Sequence, residues 1–346
     1  MPDEVSRSDG RAAPGTPPAA EADEGVGDKP SGGHRLLHIL GAVLVGVVLP
    51  ALLMGALVGR LGVSAMFVGL VLGAVGSKLG GTRRMLVVAP VLGVAAGLGA
   101  FTAYDWWWAA LLAATGVVAG AGIGFGWFAA LLIGPYAATF VTPVSSATDA
   151  VIYGVIVAIA TLYSIVIARR FSAPEVVDGD HLALLVAAGV AVMFGLVLGG
   201  AAAIGVAQGW TEPYWVPEPI LVLVLYLITG KRDRIRGKAI GTALGVAAAI
   251  PVALLDPPAG VLAAVGTVAF VVAFTQAKTY WLMYGLYTFS LVLLLASPGQ
   301  VGFEAEERGF QILVGIGLLV VGLFILHALG RWLAKHHPQP ELAPTA

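Results

Sequence analysis

Residues 214–245 read YWVPEPILVLVLYLITGKRDRIRGKAIGTALG. An aromatic and proline-rich entry leads into an apolar run from Ile220 to Ile228. A basic turn follows, from Lys231 to Lys238, and a small-residue apolar stretch then continues to Leu255. Neither run alternates polar with apolar residues, so neither is a half-solvated strand or an amphipathic surface helix. Two rods that are oily on every side, joined by a cationic turn, form the hairpin a lipid bilayer selects.

Working outward, the same pattern fills the chain. Apolar segments run Leu36 to Val58, Leu61 to Ser77, Met85 to Ala103, Trp106 to Ile123, Phe125 to Val141 and Val151 to Ala168. A second set runs Leu182 to Gln208, Trp215 to Thr229, Ala239 to Leu255, Ala259 to Gln276, Tyr280 to Ala296 and Phe310 to Leu333. Each is close to the length needed to cross a hydrocarbon layer of about 30 Å. Composition agrees, with 58% hydrophobic and 11% charged residues, against about 25% charged in ordinary soluble domains. The expected fold class is an all-α polytopic helix bundle of about 12 transmembrane helices. Net charge is -1 and cysteine is absent, so no basic field points to nucleic acid, and disulfide, thiol and cysteine–metal chemistry are excluded.

Lys and Arg gather in alternate connectors. Lys78, Arg83 and Arg84, then Arg169 and Arg170, then Lys231, Arg232, Arg234, Arg236 and Lys238, then Lys278, and finally Arg331 and Lys335 fall on one side, with only Arg60 and Arg308 on the other. Because translocating cations is disfavoured, this predicts N- and C-termini in the cytoplasm of a cell-membrane protein. Residues 1–33 have the composition of a disordered cytoplasmic tail, as do 336–346. The basic connectors precede the third span of each half, and Leu92-Gly93-Val94-Ala95-Ala96 recurs as Leu244-Gly245-Val246-Ala247-Ala248. The expectation is two parallel six-helix repeats, 34–170 and 171–335, with a pathway between them. Spacings such as Gly93-x-x-x-Gly97 and Gly241-x-x-x-Gly245 are helix-packing signals. Pro50, Pro90, Pro135 and Pro251 lie inside spans and are expected to bend them.

The opening stretch resembles the membrane repeat of the fusaric acid resistance (aromatic acid exporter) family. That repeat reads Trp-x-Pro, an apolar strip, a Gly/Thr/Arg turn, then Arg-x-x-x-Arg-x-x-Gly-Thr-x-x-Gly. Here the same order is Trp215-x-Pro217, the strip, Gly230-Lys231-Arg232, and Arg234-x-x-x-Lys238-x-x-Gly241-Thr242-x-x-Gly245, with Lys238 in place of the second Arg. Thr279-Tyr280 and the run Leu291 to Leu294 look like the family's Asn-Tyr and following span. Arg308 with Gly315 looks like its late Arg-x-x-x-Thr-x-x-Gly, with Ile312 replacing Thr. The resemblance covers 214–333; the first half fits by duplication, through Gly81-Thr82-Arg83-Arg84. It implies a gradient-driven secondary transporter exporting aromatic or other weak organic acids.

Several residues invite a mechanistic role, each beside a plainer one. Arg232, Arg234, Arg236 and Lys238 form either a collecting vestibule for anionic substrate or an orientation signal that also binds anionic lipid. Glu218, bracketed by Pro217 and Pro219, is either a proton carrier on a broken, water-lined segment or a solvated interfacial carboxylate. Arg308, a cation on the disfavoured side, requires a partner: Glu304, Glu307 or a bound carboxylate. Trp215, with Trp210, Tyr214 and the Trp106–Trp108 run, suits the headgroup belt as well as stacking on an aromatic acid. Tyr280 and Tyr284, followed by Tyr287, run at helical spacing from the inner end of the eleventh span and suit a pathway. The six histidines form no metal constellation, and no phosphate-binding loop or zinc-protease motif is present. The expectation is therefore no enzyme, no cofactor and no metal. The partners expected are a small organic anion, the bilayer and a possible homo-oligomer, with no nucleic acid; the rival reading is a membrane scaffold without transport.

Overall fold

The computed structural model describes residues 45–46, 49–171, 184–228, 232–255, 257–276, 279–295 and 301–336. The N-terminal tail, residues 36–44 and 47–48 of the first predicted span, Lys231, Lys278 and the last ten residues lie outside them. The helices are α1 (Leu49–Val58), α2 (Arg60–Gly80), α3 (Thr82–Thr102), α4 (Trp106–Ala121), α5 (Phe128–Leu131), α6 (Ile133–Thr139) and α7 (Ala147–Phe171). They continue with α8 (Leu184–Ala207), α9 (Pro217–Ile228), α10 (Arg232–Leu255), α11 (Ala259–Thr275), α12 (Tyr280–Leu295) and α13 (Val301–His336). Among the described residues there is no strand.

Seven of these are long and apolar enough to cross a membrane by length and composition: α2, α3, α4 with its 3-10 extension, α7, α8, α10 and α13. Their outward faces carry large apolar side chains, among them Val87, Val91, Ile159, Leu196, Leu313 and Phe324, all more than half exposed. Hydrocarbon suits such a surface; water does not. The remaining apolar helices are shorter, and two of them depart from the expected spans.

The fifth predicted span is broken. Gly122–Phe125 forms a 3-10 turn, Gly126 takes a left-handed φ of 68°, and two short helices, α5 and α6, follow. Pro135 lacks the N–H that would bond the carbonyl of Leu131, and the break falls between them. The eighth predicted span is also short: α9 has 12 residues, about 18 Å of helix against a core of about 30 Å.

Pro217, Glu218 and Pro219 were expected to disrupt the eighth helix; they begin it. The first-turn N–H groups of any helix lack intrahelical partners, so proline costs little there. The last helix also starts earlier than expected, at Val301 instead of Phe310, which places Arg308 inside it.

Interhelical contacts set where α9 lies. Gly315, near the middle of the 36-residue α13, sits so close to the Val216 carbonyl and the Pro219 ring that an added Cβ would collide with both. The start of α9 is thus pressed against the middle of a long helix, at membrane depth. Gly237, Gly241 and Gly245, one helical turn apart on α10, meet the backbone of α12 at Tyr280, Trp281 and Gly285 in ascending order, so the two helices run parallel in close contact. In the first half, α2 and α3 pack on α7, while α4 packs along α8.

Candidate functional site: a tyrosine-lined ion pair at the start of a half-length helix

Glu218 in the first turn of α9 and Lys238 two turns into α10 converge although 20 residues separate them. Lys238 Nζ donates to Glu218 Oε1 at 2.6 Å, and the two side chains are only 6% and 10% exposed. The glycines at 237, 241 and 245 bring α10 onto α12, which lays the Tyr284 ring 5.3 Å from the Lys238 ammonium. One turn nearer the basic end, the Arg234 guanidinium lies 4.9 Å from the Tyr280 ring.

Phenol groups close around the pair. The Tyr226 hydroxyl on α9 bonds both the Tyr280 hydroxyl and the Tyr284 hydroxyl, the latter at 2.7 Å. Tyr287 on α12 and Tyr136 on α6 lie within electrostatic reach of Glu218. Tyr136 belongs to the broken fifth span, so the first half contributes to this site as well as the second.

A second charged cluster sits just before the start of α9, around the turn Pro213–Trp215. Arg308 on α13 is 2% exposed and donates to Glu212 Oε2 at 3.0 Å and to the Leu291 carbonyl at 2.9 Å. The Trp215 ring covers its guanidinium at 5.4 Å, and the indole N–H donates to the same Glu212 oxygen at 2.9 Å. Nearby, Glu307 accepts from Gln311 at 2.8 Å and from the Thr211 amide at 3.2 Å.

Aromatic rings extend from each cluster toward the other. Trp215 contacts Tyr214 (5.2 Å between centroids), Tyr214 contacts Phe140 (6.0 Å), and Phe140 stacks on Tyr136 (5.9 Å). Tyr136 is within electrostatic reach of Tyr226 and Tyr280, and the Tyr287, Tyr284 and Tyr280 rings follow one another along α12 toward Arg234, with Tyr226 edge-on against Tyr280.

The structure revises several expectations about individual residues. Glu218 is neither solvated at an interface nor on an irregular segment; it is buried and ion-paired inside a helix. Lys238 is set apart from its basic neighbours, because it is one turn deeper and 5% exposed. Arg234 and Arg236 stay exposed at the basic end, and Arg232 lies in the first turn of α10. Trp215 is not a headgroup-belt residue, since its ring is 6% exposed and held under Arg308. Trp106 and Trp107 are exposed, whereas Trp108 is fully buried and donates to the Ala138 carbonyl at 2.8 Å. Arg308 pairs with Glu212, from the segment before α9, while the side chain of Glu304, one of the expected partners, lies outside the described residues.

Glu212, Tyr136 and Tyr226 were not singled out by sequence reasoning. Tyr226 left a signal, as the one hydroxyl in the run from Ile220 to Ile228. Glu212 and Tyr136 left none, because their partners lie far along the chain.

Long helices with apolar outer faces, enclosing paired charges that no bilayer would accept alone, define a multi-pass membrane protein. Residues 200–322 match the family model described as Fusaric acid resistance protein-like, which supports the resemblance carried by the motifs and gives this stretch the character of an exporter-type transport domain. The match contains Glu212, Trp215, Glu218, Lys238, Tyr280, Tyr284, Arg308 and Gly315. Neither a curated protein nor a solved structure matches the chain.

Proposed function

We propose that the protein is a secondary transporter in the cell membrane that exports aromatic or other weak organic acids, using existing gradients and no catalytic chemistry. One observation carries this reading. Three cations, Arg308, Lys238 and Arg234, each lie against an aromatic ring, and two series of ring contacts, Trp215 to Tyr136 and Tyr287 to Tyr280, extend from them into the interior. A carboxylate attached to a ring is complementary to such a series, since the cations take the anion while the rings offer flat stacking surfaces. Exposed Arg234 and Arg236 then form the cytoplasmic mouth, where a positive field concentrates anions. Buried Lys238 is the central site, and Arg308 with Glu212 guards the opposite exit.

A twelve-span duplication gives this pathway its frame. In each half the second and sixth helices, the third and sixth, the third and fifth, and the fourth and fifth are in contact. That shared pairing supports two parallel repeats, and the aromatic chain passes from Phe140 and Tyr136 of one to Tyr214 and Tyr226 of the other.

The test is flux of radiolabelled 4-hydroxybenzoate from liposomes containing the purified chain, with protein-free liposomes as the baseline. Protein-dependent flux that falls with Lys238→Gln is expected. A membrane scaffold predicts baseline flux for every organic acid tried, and that result would remove the transporter reading.

A further inference from the structure

We propose that Lys238 holds the substrate carboxylate in place of Glu218, and that Glu218 takes up a proton when it gives Lys238 away, so that acid anion and proton cross together as a neutral unit. This rests on the transporter reading above and adds its coupling.

The argument starts from the cost of charge. Glu218 and Lys238 face each other at 2.6 Å with little solvent access, so the empty site is neutral as a pair. A second carboxylate on the Lys238 ammonium would leave an unshared negative charge at membrane depth, which such surroundings disfavour strongly.

The neighbours show how that excess is removed. From α10 Glu218 faces Lys238; from α12, Tyr284 and Tyr287; from α6, Tyr136. On α9 itself the nearest titratable side chain toward the basic turn is Tyr226. Where α13 touches the start of α9, Gly315 and the apolar Val314, Ile316 and Leu319 pack there, and the Arg308 guanidinium on that helix donates to Glu212 and the Leu291 carbonyl. α8 carries no ionisable side chain. Among the described residues Lys238 is thus the cation paired with Glu218, and the other titratable groups recorded against it are phenols. Phenols donate hydrogen bonds but do not replace a positive charge. With Lys238 taken, protonation of Glu218 restores neutrality.

The proton comes from the aqueous phase and forms an O–H bond on Glu218. Lys238 keeps its own protons, and no other bond is made or broken. Both the empty and the loaded site are then neutral, so the step that carries substrate across is driven by the gradient of the undissociated acid and not by membrane potential. Proton and anion bind with positive coupling, which makes each raise the affinity for the other.

Calorimetry of 4-hydroxybenzoate binding to the purified full-length chain, in buffers that differ in ionisation enthalpy, counts protons taken up. At neutral pH, where the ligand carboxyl is ionised, about one proton per ligand is expected, with affinity falling about tenfold for each unit rise in pH. Glu218→Gln, which mimics the protonated carboxyl, is expected to bind without proton uptake and without pH dependence. Lys238→Gln is expected to lose binding. Wild-type binding with no proton uptake would overturn the inference while leaving the transporter reading intact, and this measurement decides the matter even where Glu218→Gln fails to fold. No wild-type binding, together with no flux in liposomes, defeats the transporter reading and this inference with it.

Discussion

At the scale of single residues, the chain places its charges in pairs wherever the fold buries them. Lys238 without Glu218, or the reverse, strands an ion, and removing one partner of a buried pair costs about 3–5 kcal/mol. Lys238→Ala is therefore expected to lower the melting temperature in detergent substantially. The double variant Lys238→Met with Glu218→Leu is expected to recover most of that loss while remaining inactive, separating the stability of the pair from its use. Trp215→Phe keeps a ring against Arg308 but deletes the indole N–H to Glu212; a hydrogen bond to a charged group contributes about 1.5–3 kcal/mol. Thermal melting of Trp215→Phe and Trp215→Leu divides that contribution from the stacking of the guanidinium.

Tyr104 gives a pH prediction. It occupies the turn between α3 and α4 at a φ of 67°, stacked with Tyr214 at 6.5 Å. Burial first, and then the charge of Glu212, push its hydroxyl above the ordinary tyrosine value of 10.0. The folded state holds this proton longer than the unfolded state, so the stabilisation is complete below 10.0 and lost as pH rises beyond it. Melting curves in alkaline buffers are expected to show a steeper decline for the wild type than for Tyr104→Phe.

At the scale of elements, close backbone approach positions the site. A Cβ on Gly241 would strike the Trp281 carbonyl and the Gly285 amide of α12, so Gly241→Leu forces the helices apart and carries Tyr280 and Tyr284 away from Arg234 and Lys238. Lower stability and lost substrate binding are expected, measurable by melting and by calorimetry. Gly315→Ala acts at the other contact, displacing the start of α9 and with it Glu218; binding is expected to weaken more than stability falls.

Much at this scale was legible. The apolar runs of α2, α3, α4, α7, α8, α10 and α13 declare themselves, because a helix surrounded by hydrocarbon needs apolar residues on every face. The broken fifth span was not legible in the same way. Its apolar composition persists through the break, and Pro90 and Pro251 show that proline alone does not decide, since both lie within continuous helices. Pro217 and Pro219 misled for a related reason: proline disrupts a helix interior but suits a first turn, and only the position of the turn distinguishes the two.

At the scale of the whole molecule, the distribution of cations predicts orientation. The chain contains no cysteine, so single cysteines can be introduced without removing native ones. Arg236 and Glu306 are both exposed, near opposite ends of the bundle. With the N-terminus in the cytoplasm, Arg236→Cys is expected to react with an impermeant maleimide only in permeabilised cells, and Glu306→Cys in intact ones. The reverse pattern inverts the topology and with it the direction assigned to the pathway.

The sequence by itself determined the class of solvent this chain folds in, its helical character and the side on which its cations gather. These depend on local composition, and hydrocarbon imposes the same demand on each segment independently. Tertiary structure alone decided that Glu218 meets Lys238, that Glu212 meets Arg308, and that Tyr136 and Tyr226 from different halves of the chain close on one ion pair. Such contacts depend on how near two backbones come and at what depth one helix begins. Those distances are fixed by packing between residues far apart in the chain, which no local pattern records.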